Sequence, residues 1–83
     1  MKPAVFKVDH GNGFVRLICI DVPSLRHAVE IERALREVLP GSWHISLLGR
    51  FDKIEIATGP ADLLHCAAVD PDFVPGSNIF SSR

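Results

Sequence analysis

The segment from Trp43 to Ile56 constrains the fold of this chain more than any other. It reads Trp-His-Ile-Ser-Leu-Leu-Gly-Arg-Phe-Asp-Lys-Ile-Glu-Ile. A two-residue turn at Gly49-Arg50 makes it a β-hairpin, because Gly at the first central position suits a type II′ turn. Register follows from the turn. Leu48 faces Phe51, Ser46 faces Lys53, and His44 faces Glu55. On the other side Leu47 pairs with Asp52, Ile45 with Ile54, and Trp43 with Ile56. One face is then mostly apolar and the other mostly polar, as a half-buried antiparallel hairpin requires. The tip is the exception. There Leu48 and Phe51 sit on the polar face beside Arg50, so Leu48, Arg50 and Phe51 are the candidate partner-binding residues.

Two further strands precede the hairpin. Residues 4–8 (Ala-Val-Phe-Lys-Val) read as a short strand, and Asp9-His10-Gly11-Asn12-Gly13 is a dense turn signal. Residues 14–20 (Phe-Val-Arg-Leu-Ile-Cys-Ile) form the strongest strand. Only Arg16 interrupts its apolar character, which predicts a central strand covered on much of both faces. The first hairpin places Val8 near Phe14 and Phe6 near Arg16.

The main helix is expected over residues 24–39. Ser24 is the N-cap, with Asp21 as a competitor, and Pro40-Gly41 stops it. At 100° per residue, Ala34, His27, Val38, Ile31, Leu35, Ala28 and Leu39 share one arc. A second helix is expected over residues 60–69, opened by Pro60 and closed by Asp70-Pro71. Residues 71–83 have no period and read as an irregular C-terminal tail to a single domain spanning residues 1–70.

The element order is thus ββαββα. It implies an α+β fold: a four-stranded antiparallel sheet with two helices on one face. A right-handed crossover gives the strand order 4–8, 14–20, 51–57, 43–48, a permuted ferredoxin-like arrangement with the N-terminal strand at an edge.

Composition narrows the function. With 83 residues the chain suffices for one domain, and 47% apolar residues argue against disorder. Nine basic and ten acidic residues give a net charge of −1, which argues against an electrostatic nucleic-acid binder. The aromatics Phe14 and Phe51 fall at strand ends, away from the positions where a ferredoxin-like sheet stacks bases. No apolar run approaches the length of a membrane span, and residues 1–7 lack the apolar core of a signal peptide. Cytoplasmic location is the expectation. Cys19 and Cys66 form no Cys-x-x-Cys motif and are expected as reduced thiols, a disulfide being the alternative.

No motif carries catalysis or cofactor binding. The four histidines lack metal-ligand spacing, and no Gly-x-Ser-x-Gly or phosphate loop occurs. Glu32–Arg36 and Arg33–Glu37 are helical i, i+4 pairs expected on a solvated face. An enzyme reading rests on His44 and Glu55 as cross-strand neighbours, with Glu55 orienting the imidazole. Alternating residues of 14–20 are apolar on both faces, and two helices on one side leave apolar area on the other. Either the tail covers that face through Phe73, Ile79 or Phe80, or a partner does. The expected function is a small non-enzymatic protein-binding module, a regulator, inhibitor or assembly factor, without catalytic residues, metal or cofactor. Its expected partner is another protein or a second copy of the chain, with no membrane; a nucleic-acid-binding domain is the alternative.

Overall fold

The computed structural model describes residues 1–54 and 66–74. Its elements are β1 (Lys2–Asp9), β2 (Val15–Val22), α1 (Leu25–Val38) and β3 (His44–Arg50). Among the described residues they form a three-stranded antiparallel sheet in the order β2-β1-β3 with one helix packed against one face. This corrects the four-stranded, two-helix arrangement. Residues 66–69 carry a bend and an isolated bridge, not the end of a second helix, and residues 60–65 lie outside the described residues.

The central strand is β1. Ala4, Val5, Phe6 and Val8 are all buried, whereas β2 is an edge strand that leaves Val15, Arg16, Cys19 and Asp21 exposed. Counting apolar residues reversed the two. Apolar side chains on both faces of β1 suit a site with a neighbour on every side. The first hairpin is shifted by two residues from the expected pairing: Val8 pairs with Arg16, not Phe14, and Phe6 with Ile18, not Arg16.

The hairpin expected at Gly49-Arg50 is absent. β3 runs straight through both residues, and Gly49 pairs with Val5 and Arg50 with Ala4. Phe6 pairs with Leu47, so Leu48 is an extra residue and forms a β-bulge. Gly49 takes φ of 134°, a conformation that side chains disfavour. The sequence signal for positive φ was therefore real, and the structure uses it in a bulge. The bulge also changes which way side chains point. Leu47 joins the helix-facing core, while Phe51, four residues on, joins Val5 on the opposite face. An unbroken strand would put both on one face.

The helix-facing core holds Ala4, Phe6, Val8, Val22, Ala28, Ile45 and Leu47, with Trp43 and Phe73 packed against it. Ser24 caps α1, its hydroxyl accepting from the His27 amide at 3.2 Å. The buried arc is rotated from the expected one by roughly 70°, taking 100° per residue. Leu25 and Val29 pack inward, while His27, Ala34 and Val38 face out. The rotation brings Glu32 under β3. Its carboxylate accepts from the Leu47 amide at 2.6 Å and lies 3.5 Å from Arg36, which donates to the Ile45 carbonyl at 3.3 Å. This i, i+4 pair is thus attached to the sheet. Replacing Glu32 with Ala strands the Leu47 amide and is expected to cost about 1–3 kcal/mol in urea unfolding. Glu32→Gln retains an acceptor oxygen and should cost less.

Candidate functional site

The two edges of the sheet differ, and the difference defines the candidate site. Side chains and chain together cover much of the β3 edge. Glu32 and Arg36 take up the outward amide of Leu47 and the outward carbonyl of Ile45. Beyond the bulge, residues 66–74 run along the edge. The Asp52 amide donates to the Ala67 carbonyl at 2.8 Å, the Val69 amide donates to the Arg50 carbonyl at 2.9 Å, and Phe51 bridges Ala68. Asp70 then accepts two hydrogen bonds from Arg50, at 2.8 and 3.1 Å. These bonds raise the Arg50 pKa above its ordinary value, outweighing a smaller lowering by burial, and the charge of Asp70 adds to the rise. The segment passes from Cys66 on the open face, around the edge, to Phe73 on the helix face.

The β2 edge has no such cover among the described residues. The ladder dictates which groups point outward. The Leu47 amide points to Glu32, away from β1, so its partner Phe6 directs its own backbone groups at β2. Phe6 faces Ile18, Val8 faces Arg16 and Ala4 faces Ile20. The amide of His10 donating to the Phe14 carbonyl continues the same phase. Arg16, Ile18, Ile20 and Val22 therefore bond inward. Val15, Leu17, Cys19 and Asp21 present N–H and C=O groups to the outside, a row four residues long.

An aromatic corner flanks one end of this row. His10 lies between Phe14 and Trp43, with ring centroids at 5.1 and 4.1 Å, and its Nε2 is buried without a partner among the described residues. Phe14 remains 52% exposed, and the Arg16 guanidinium sits 5.8 Å from its ring. Apolar and cationic surface thus adjoin the open backbone.

The three residues singled out at the supposed hairpin tip lie elsewhere. Leu48 is the half-buried bulge residue, and Phe51 is only 8% exposed, packed with Val5, Leu17, Ile54 and Cys66. The Arg50 side chain is 11% exposed and held by Asp70. The premise of an exposed tip is therefore corrected: the turn does not exist, and both large side chains pack within the chain. His44 is exposed and pairs with Asp9; Glu55 lies outside the described residues. Sequence reasoning missed Val15, Leu17, Cys19 and Asp21 as an edge. The available signal was the apolar content of residues 14–20 on both faces.

A surface ion pair ties the start of β1 to the residues after β3. Lys2 Nζ lies 2.6 Å from Asp52 Oδ1. The hydrogen bond from Lys2, then its charge, lowers the Asp52 pKa below the ordinary value. A depressed folded-state pKa gives stability that is present above the unfolded value and lost as pH falls through the folded one. Both groups are solvent-exposed, so salt weakens the effect. Titration of the Asp52 carboxyl carbon by NMR should show a lower midpoint in the native chain than in Lys2→Gln, with the gap narrowing at high salt.

Among the described residues, no cluster of His, Cys, Asp and Glu is placed to hold a metal, and no helix is long and apolar enough to cross a membrane. Comparison with protein-family models, with curated proteins and with solved structures finds no match to this chain.

Proposed function

We propose that the protein is a small non-enzymatic binding module that takes an extended segment of another protein onto the outer edge of β2. It would act as a regulator, inhibitor or assembly factor by occupying that segment. The observation that carries this reading is the contrast between the edges: Glu32, Arg36 and residues 67–69 bond to the outward backbone of β3, while four outward-facing residues of β2 have no such cover among the described residues. An exposed edge of this kind pairs readily with a further strand, backbone bonds giving affinity and alternate side chains giving selectivity. Nucleic acid is the less favoured partner, because a net charge of −1 supplies little phosphate attraction.

Cys19→Pro tests the reading under reducing conditions. Its amide points outward, so proline removes a group that the internal ladder does not use. The variant should remain folded by circular dichroism. Capture of partners from the native host, read by mass spectrometry, should lose the proteins that slow amide exchange at Leu17 and Cys19 in the native chain. Retention of those same partners by the folded variant would overturn the reading. Sedimentation of the purified chain separates the outcome in which the added strand comes from a second copy.

A further inference from the structure

We infer that Cys19 and Cys66 form a thiol pair on the open face of the sheet that a small disulfide oxidant, of the glutathione disulfide class, closes into an intramolecular disulfide. Both residues are thiols in the structure. They are 47 positions apart in the sequence, yet the fold brings both to the same face of the sheet. Val5 pairs directly with Cys19 across the β1–β2 ladder, so the two side chains share a face. Cys66 packs against the cluster built on Val5 and Phe51, as does Leu17, two residues from Cys19 on the same side of β2. Cys19 is exposed on that face and accessible to a reagent.

The thiol chemistry agrees with this placement. Burial raises the Cys19 pKa most, followed by the charge of Asp21 and then that of Cys66. The raised pKa means that Cys19 is no activated nucleophile, so closure depends on proximity and quickens as pH rises. In the first step the Cys19 thiolate attacks one sulfur of the oxidant and expels one small thiolate. In the second the Cys66 thiolate attacks the Cys19 sulfur of this mixed disulfide and expels the other. The protein loses two electrons and two protons, and the oxidant is reduced to two thiols. The product ties residues 66–74, which already run along the β3 edge, across the open face to β2.

The test equilibrates the full chain with glutathione buffers of graded redox ratio, quenches with acid, and maps the products by mass spectrometry. The expected product is a monomer that has lost two hydrogens, with the Cys19 and Cys66 peptides joined. Its ratio to glutathione adducts should be at least about tenfold higher in native buffer than in concentrated urea, because the fold holds the thiols together. Cys19→Ser and Cys66→Ser should each give only adducts while remaining folded. Glutathione adducts on both cysteines of the folded native chain, a pairing ratio no higher than in urea, or dimers joined through Cys19 would overturn the inference.

Discussion

Phe6→Ala is expected to cost about 3–5 kcal/mol, the usual range for removing a buried phenylalanine ring. The loss is comparable to the whole stability of a small domain, for which about 5–15 kcal/mol is usual. Phe6 is fully buried at the centre of β1, between Ile18 on one side and Leu47 on the other, and faces α1. No neighbour can collapse into the space without breaking a ladder. Val15→Ala on the edge strand, where the side chain is 39% exposed, should change stability by less than about 1 kcal/mol. Urea unfolding of both variants checks the contrast. If β2 were the central strand, as its composition suggests, the order of the two effects would reverse.

Gly49→Val is the second large effect. At φ of 134° a side chain is strained whatever space surrounds it, and a β-branched one most of all. Strain of this kind costs about 1–3 kcal/mol. The added Cβ itself meets the Phe51 and Phe73 rings at an ordinary 3.7 Å, so the first penalty is conformational, not steric. The methyl groups of valine then crowd those rings. Relief of the strain requires loss of the bulge, and that would turn Phe51 away from Val5. The expected result is a lowered urea midpoint together with shifted ring resonances of Phe51. Gly49→Ala should show the same change in smaller degree. An unchanged midpoint would mean that the bulge does not need glycine.

Gly49 also shows where the sequence was ambiguous. A glycine between apolar runs announces positive φ, and both a type II′ turn and a bulge use it. The alternation on either side fitted a hairpin because a bulge also resets which residues face the core. Leu48 and Phe51 therefore read as a facing pair at the tip of a turn, when both lie on one continuous path and pack with Val5. The helix and its Ser24 cap were legible, since capping is local chemistry. The rotation of the helix was not, because it is tied to the bond between Glu32 and the Leu47 amide, a contact between distant residues.

The apolar excess of residues 14–20 was legible too, but its meaning was not. Composition predicted a central strand. The structure places those residues on an edge, where Leu17 packs on the open face while Val15 and Cys19 remain exposed. An edge strand with so few charges departs from the usual protection of sheet edges. That departure is the link between the sequence and the proposed binding of a further strand.

Among the described residues, the outer edge of β2 is open and that of β3 is covered. Amide hydrogen exchange of the isolated, reduced protein, resolved residue by residue, tests this contrast most directly. Along β2, exchange should alternate: slow at Arg16, Ile18, Ile20 and Val22, whose amides bond to β1, and fast at Val15, Leu17, Cys19 and Asp21. On β3, the outward Leu47 amide should exchange slowly because Glu32 holds it. Leu17 and Cys19 amides as protected as that of Ile18, or a Leu47 amide as fast as theirs, would contradict the account.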